Sequence, residues 1–504
     1  MSLTRWIIRQ AMHHRLRRVD ALLRAPGRAQ ERLLRRLVRR ARDTEFGRAH
    51  GFVAIRSVRD FQRAVPVAGY EDLAPLWHRA FDGERDLAWP GHVGHFSLTS
   101  GTTTAAAKAM PLTRAALRAN RRAGLTLLAL CERQAPGADL LAGKTLYFGG
   151  STRLERRGAC WQGDASGINA AHMPRAAWRW RLPEPDVGDL VDWEARTHAI
   201  CERYAHSPVR VVAGLPSWTM LLFRRLIDHT GAACVADVWP DLRVFIHFGM
   251  AFEPYREPFK ELVGRDLATV DTYSSSEGGL NAIQSEQGDP SMQLEVDAGA
   301  FYEFVPVADI DRPDPPRLTL DEVAIDTDYA LLLSTPSGIW AYDVGDVVRF
   351  TSLRPPRIVV VGRTRLTLND MGEHVIQEHL EAALTAAARA LDVRVADFTV
   401  GSALPTAQEP RGWHRWLVEF DGERPPLAAF AARLDAALAE ASLDYRVHRE
   451  GDLSMLLPEV VPLAPGAFYA WARQHGAVGG QHKVPRVARS ADMVDELIQL
   501  SKTL

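Results

Sequence analysis

Five short segments gather side chains able to do chemistry. In Leu98 to Pro111 (LTSGTTTAAAKAMP), a strand-like stretch enters a loop holding the hydroxyls of Ser100, Thr102 and Thr103, one glycine, and the ammonium of Lys108. Backbone N–H groups, hydroxyl donors and a cation together can surround a polyphosphate. The GxxxxGKS/T spacing of a Walker loop is absent, and a Ser/Thr-rich turn or helix cap is the plainer alternative. In Asp271 to Gly279 (DTYSSSEGG), Tyr273 offers a flat face to a base and Ser275 and Ser276 offer polar contacts. Glu277 supplies a hard oxygen ligand suited to Mg2+ beside phosphates, or else a solvated carboxylate on a surface loop. In Trp340 to Asp346 (WAYDVGD), a carboxylate just before the strand-like run Val347–Phe350 is placed to accept both hydroxyls of a ribose. A plain Val-Gly-Asp hairpin turn fits that stretch equally well. Gly362-Arg363 followed by Asn369 to Glu373 (NDMGE) suits a hinge or an ordinary connection. Gly480 to Arg486 (GQHKVPR) is a glycine-led loop carrying Lys483, with a solvated basic tail as the alternative.

The chain spends lysine sparingly. Of 61 basic residues only Lys108, Lys144, Lys260, Lys483 and Lys502 are lysines, so arginine serves wherever a positive charge suffices. A lysine that remains suggests a position needing a compact ammonium point charge instead of a planar fork. Two of the five fall in the segments above.

Behind these segments stands a pattern of alternating elements. Strand-like runs at Val209–Ala213, Leu242–His247, Ala268–Tyr273, Phe301–Val305, Ala330–Ser334 and Ile358–Val361 are interspersed with helical stretches at 217–228 and 253–263. This is the reading of an α/β sheet with helices on its faces. A long helix is predicted from Thr113 to about Cys131, and proline-rich loops at 309–317 and 353–356. After Gly362 the pattern restarts: helix 373–391, strands 396–400 and 414–420, helix 427–441, which reads as a second, smaller domain with its boundary near 363–372. Glu373, His374, Glu378 and His379 fall on one predicted helix but match no zincin spacing, and are expected to be exposed helix polarity. No GxSxG elbow for a serine hydrolase is present.

At 504 residues the chain exceeds one ordinary core, so two or more domains are expected. A formal net charge of −1 gives no global field for nucleic acid or an anionic membrane. No apolar run is long enough to span a bilayer, and no signal peptide is evident. Four widely spaced cysteines without a CxxC pair argue against disulfides and cysteine-zinc sites, so a reducing cytoplasm is expected. Residues 1–48 carry fourteen arginines against four acids, but Leu33, Leu34, Leu37, Val38 and Ala41 share one helical face, with Arg32, Arg35, Arg36, Arg39 and Arg40 opposite. An amphipathic helix packed on the body is expected there, not a nucleic-acid arm.

Taken in order, the segments resemble the acyl-adenylate-forming superfamily, and within it the GH3-type acyl acid–amido synthetases. Thr44 to Phe52 (TEFGRAHGF), Val65-Pro66, Tyr70 to Leu73 (YEDL), Gly214 to Trp218 (GLPSW), Phe252 to Tyr255 (FEPY) and Lys483 to Arg486 (KVPR) all look like that family, across essentially the whole chain. The resemblance implies an α/β fold: a large N-terminal domain, 1–365, with mixed sheets and the ATP and acyl-acid sites, and a small mobile α+β domain, 366–504, on a hinge. It implies that Ser100, Thr102 and Thr103 hold ATP phosphates with Lys108 nearby, that Tyr273 packs on adenine, and that Ser275 and Ser276 line the nucleotide. Glu277 would bind Mg2+; Tyr342 and Asp346 would fix adenine and ribose, with Arg363 close by; Lys483 would reach the α-phosphate and acyl carboxylate. The implied partners are a small carboxylic acid and an amine, with an amino acid as the expected amine. Two departures stand out: Ala105 replaces a usual second glycine in the phosphate loop, and His247 to Met250 (HFGM) replaces a usual double glycine beside the adenine.

Overall fold

The computed structural model describes residues 3–99, 108–190, 192–249, 252, 256–310, 312, 314–363, 367–373, 375–405, 409–452, 454–474, 486–488 and 491–504. Among these, the largest element is an eleven-stranded mixed sheet. From one edge its strands are Phe301–Pro306, Asp328–Thr335, Ile339–Leu353, Pro356–Arg363, Met292–Leu294, Gly279–Gln284, Ala268–Ser275, Val244–Phe248, Val209–Gly214, Lys144–Phe148 and Arg181–Leu182. The last five run parallel, and Val209–Gly214 and Val244–Phe248 among them are the largely apolar runs expected of strands buried on both faces. From Ala268–Ser275 towards Phe301 the pairing is antiparallel throughout. The Ala268–Ser275 strand is therefore where parallel pairing gives way to antiparallel. In open sheets ligands collect outside the carboxyl ends of the parallel strands, and Ala268–Ser275 is the last strand of that parallel set.

A second, four-stranded sheet holds Lys108–Leu112, His95–Thr99, Cys160–Gly163 and Glu155–Arg157 in that order. The helix predicted from Thr113 begins at Arg114 and runs to Gln134, with the Thr113 side chain capping the Ala116 N–H; the strand Lys108–Leu112 that precedes it was not legible in the sequence. The third sheet, Val395–Ala403, Trp413–Phe420 and Glu459–Leu463, carries the helices Gln377–Ala390 and Leu427–Ala441. One apolar cluster runs without a break from Phe148, Trp218 and Phe259 to Met371, Trp416 and Tyr445, joining residues on both sides of 363–372.

The arginine-rich N-terminal stretch folds as expected. Pro26–Ala41 is a helix whose Leu33, Leu34, Leu37, Val38 and Ala41 are buried. Phe46 and Phe52 then pack on Trp340, at ring separations of 6.0 and 4.9 Å.

Two sequence expectations need correction, and a third, the loop at 309–317, gains a detail. The helix predicted from 373 starts at Gln377, and Glu373 is not exposed helix polarity: it is fully buried, with its carboxylate 2.9 Å from His414 Nε2 and accepting the Met371 N–H at 2.8 Å. The 309–317 loop ends in a buried ion pair, because Arg317 makes a two-pronged contact with the Glu303 carboxylate at 3.0 and 2.6 Å. Finally, Val-Gly-Asp is no hairpin turn, and Asp346 does not precede a strand. It lies inside the fifteen-residue strand Ile339–Leu353.

Candidate functional site

The strand Ile339–Leu353 owes its placement of Asp346 to an interruption. Leu332 pairs with Asp343 and Ala330 with Val347, so four steps on this strand face two on its neighbour. The two extra residues form a bulge, in which Gly345 takes φ of 79° and donates its N–H to Asp343 Oδ1 at 2.8 Å. A bulge re-aims the side chain beside it, and only glycine adopts that φ without cost. Further up the strand Ala341, at φ of 44°, donates its N–H to Ser334 Oγ, while its carbonyl accepts the Ala68 N–H. Strained non-glycine residues of this kind gather at binding sites. Here the strained residue immediately precedes Tyr342.

The interruption brings two of the sequence candidates together. Tyr273 Oη donates to Asp346 Oδ2 at 2.6 Å, both side chains being buried. Tyr273 sits on the strand where pairing reverses, Asp346 on the strand that also carries Tyr342, and Arg363 lies opposite Asp346 in register. The tight turn after Ser275 holds Ser276 and Glu277; Ser275 Oγ accepts the Gly278 N–H and the Asn281 amide, at 3.0 and 3.2 Å. Glu277 borders a cavity of about 10 Å³, shared with Asn120 and Ala119 of the long helix and with Gly299 and Thr335. That volume suits about one water molecule. A carboxylate at such a turn matches the donor set of Mg2+, which usually takes one or two carboxylates together with phosphate oxygens and water.

Lys108 reaches the same region through aromatic rings. Its ammonium lies 5.0 Å from the Tyr70 ring centroid, Tyr70 packs on Trp77 at 5.7 Å, and Trp77 on Tyr342 at 5.9 Å. Tyr70 Oη also accepts the Ala109 N–H, holding the start of the lysine's strand. Tyr70 and Trp77 were not singled out as site residues. Their signal was available, since Tyr70 opens one of the family-like segments. Thr99 and Lys108 are Cα partners across the strand pair, while Ser100, Thr102 and Thr103 lie outside the described residues. Lys483 lies outside them too, but Arg486, three residues on, is anchored: it pairs with Asp397, donates to the Phe398 carbonyl at 2.9 Å and covers the Phe398 ring at 4.5 Å.

On the parallel side, His247 is buried, with Nδ1 3.3 Å from Asp271 Oδ1, and stacks on Phe252 at 4.5 Å. Phe248 stacks on Tyr147 at 6.2 Å. The departure from a double glycine thus places two packed rings where small residues are usual. Near 363–372, burial pushes the Asp370 carboxyl up, and Asn369 donates to the Gly249 carbonyl at 3.4 Å.

Asp346→Ala is expected to raise the KM for ATP about 10- to 100-fold and that for the acid much less, the range for losing hydrogen bonds to a charged group. Initial rates over a two-substrate grid measure both, and an unchanged ATP requirement would show that Asp346 serves Tyr273 alone.

Residues 15–167 match the GH3 family N-terminal domain, residues 294–363 the GH3 family central domain and residues 378–492 the GH3 family C-terminal domain. Jasmonoyl–L-amino acid synthetase JAR4 of Nicotiana attenuata is 22% identical over 550 residues, covering 93% of this chain and 92% of that protein. Indole-3-acetic acid-amido synthetase GH3.3 of Arabidopsis thaliana is 22% identical over 545 residues, covering 94% and 91%. Among solved structures, GH3.15 acyl acid amido synthetase in complex with 2,4-DB superposes with a TM-score of 0.60 at 19% identity, over 96% of this chain and 95% of that one. A 2-hydroxyisobutyryl-CoA ligase bound to 2-HIB-AMP and CoA gives 0.55 at 15% identity, over 95% and 92%. These likenesses establish a shared fold, and the matches to all three domains of one family establish more: the chain belongs to the GH3 family.

Proposed function

We propose that this protein is an ATP-dependent acyl acid–amido synthetase. The carboxylate of an acid attacks the α-phosphorus of ATP, giving acyl-AMP and pyrophosphate; an amine, an amino acid in this reading, then attacks the acyl carbon and AMP leaves. The first step is needed because a free carboxylate is a poor electrophile, whereas AMP is a good leaving group. The observation that carries the reading is the Tyr273–Asp346 hydrogen bond where the parallel and antiparallel halves of the sheet meet. It presents an aromatic face and a buried carboxylate, with Tyr342 on the same strand as Asp346, Glu277 on the turn after the Tyr273 strand, and Lys108 linked to Tyr342 through Tyr70 and Trp77, a set suited to base, ribose and phosphates. Full-length similarity to relatives named as amido synthetases supports it.

In this reading Ser100, Thr102, Thr103 and Lys108 hold phosphates, Tyr273 and Tyr342 flank adenine, Ser275 and Ser276 line the nucleotide, and Asp346 and Arg363 hold the ribose side. Glu277 would hold Mg2+, which when bound would supply charge neutralisation on the phosphates. The chain divides at 365/366, and the C-terminal unit, 366–504, turns on the segment around Asn369 to Gly372 between half-reactions. Among the described residues no helix is long and apolar enough to cross a membrane.

A coenzyme A ligase is the rival reading, since one such enzyme shares the fold. Mass spectrometry separates the two: with a productive acid, the expected product is the amide, and coenzyme A does not replace the amine. A thioester as the main product would move the chain to the rival class.

A further inference from the structure

Three arginines among the described residues are more than nine-tenths buried: Arg15 at 5% exposure, Arg317 at 8% and Arg196 at 9%. Two are neutralised in place, Arg15 by Glu295 and Asp297 and Arg317 by Glu303. Arg196, on the helix Trp193–Tyr204, is not. Among the described residues its guanidinium meets no carboxylate within salt-bridge distance and donates no hydrogen bond; its Nε is buried without a partner, and the face of Phe148 lies 5.6 Å away. Arg181, opening the edge strand Arg181–Leu182, likewise has a buried, unpartnered Nε. Burial lowers the pKa of both guanidiniums, with Tyr147 a charge neighbour they share. Desolvation likewise pushes the Tyr147 phenol up to about 12. The nearest carboxylate to Arg196 in charge terms, Asp164, is occupied capping the helix Ala165–Ala171, accepting the Ser166 N–H at 2.7 Å.

A buried cation held in no ion pair is destabilising, and an unsatisfied buried polar group calls for an explanation such as an absent ligand. The location supplies one. Phe148 ends its strand opposite Gly214, Gly214 lies opposite His247, and His247 opposite Asp271. Arg196 therefore overlooks the same carboxyl-end rim as Tyr273, three strands along, or roughly 14 Å at the usual strand spacing. Between them Tyr147 and Phe248 stack.

We propose that Arg196, with Arg181 in support, forms a subsite for a substrate carboxylate other than the one being activated. The inference rests on the amido-synthetase reading. That anion has two possible carriers: a dicarboxylic acid, whose far end the arginines hold, or the amine substrate. A planar guanidinium suits either, because it meets a carboxylate through paired N–H donors.

Arg196→Met tests this in two independent ways. Removing an unpaired buried charge for an apolar side chain of similar length leaves the melting temperature unchanged or raises it, whereas a structural arginine would be missed. In activity, AMP release is followed with matched pairs: hexanedioate against hexanoate at fixed amine, and L-alanine against ethylamine at fixed acid. The variant is expected to lose about 10- to 100-fold in kcat/KM for the member of one pair that bears the additional carboxylate and to keep the rate of the member that lacks it. Arg196→Lys is expected to fall between. Loss in the first pair assigns the anion to the acid, loss in the second to the amine. Thermal shift of the wild type by hexanedioate or L-alanine, absent in Arg196→Met, reads the subsite without turnover, so an enzyme that activates neither acid still tests it. Unchanged discrimination in both pairs together with equal thermal shifts, or a lower melting temperature with all four rates reduced alike, would overturn the proposal.

Discussion

Lys483→Ala is expected to slow acyl-AMP formation by roughly 10²–10³-fold, the scale for removing one donor that meets charge developing in a transition state. The lysine is one of five in a chain that otherwise uses arginine. It also lies three residues from Arg486, which the Asp397 pair and the Phe398 contacts fix to the C-terminal sheet. Three residues span at most about 10 Å, so Arg486 ties this stretch of sequence to that sheet. Lys483→Arg is expected to rescue poorly, because a planar fork does not replace a point charge. The amine-transfer step, begun from synthetic acyl-AMP, is expected to be far less affected once the C-terminal unit has turned. Single-turnover measurements of each half-reaction decide the matter, and equal losses in both would mark Lys483 as structural.

Glu303→Ala is expected to have the largest effect on stability. It leaves Arg317 buried without its carboxylate, at a cost of about 3–5 kcal/mol. That is a large fraction of the roughly 5–15 kcal/mol that holds a typical domain folded. The damage extends beyond the pair: Arg317 also donates to the Gln62 and Val65 carbonyls, and Gln62 donates to Glu303, so the network ties the N-terminal helix Val58–Ala64 to the sheet. Replacing both partners, Glu303→Met with Arg317→Met, is expected to recover much of the loss, since no stranded charge remains. Melting temperature and resistance to proteolysis report both variants; a double variant no better than the single one would show that the hydrogen bonds to Gln62 and Val65 matter more than the charge.

What the sequence revealed follows from what each signal is. Period and composition are local, so Val209–Gly214, Ala268–Ser275 and Leu427–Ala441 appear within a residue or two of their predicted bounds. Lys144–Phe148 was missed because it is short and follows a glycine, and its strand character comes from parallel pairing with Val209–Gly214. Glu373 was misread because the chain supplies its partner, His414, from 41 residues away. The nucleotide candidates Tyr273 and Asp346 were each legible, but their hydrogen bond, 73 residues apart in sequence, was not. Arg196 was least visible of all. In a chain so rich in arginine nothing marks one of them as special until its missing partner is seen in space.

The bulge between Asp343 and Val347 bears on which insertions and deletions this lineage tolerates. Its two extra residues are an even number, so the alternation of side chains resumes in phase and Val347 keeps the facing it would have had without them. Losing one residue there would reverse every side chain downstream and turn the face that carries them the other way. Losing both would restore a regular ladder and withdraw Asp346 from Tyr273. The length of the segment is therefore fixed more tightly than its composition, within the limit that Val344 packs against two apolar clusters, and homologues that keep this site are expected to keep its residue count.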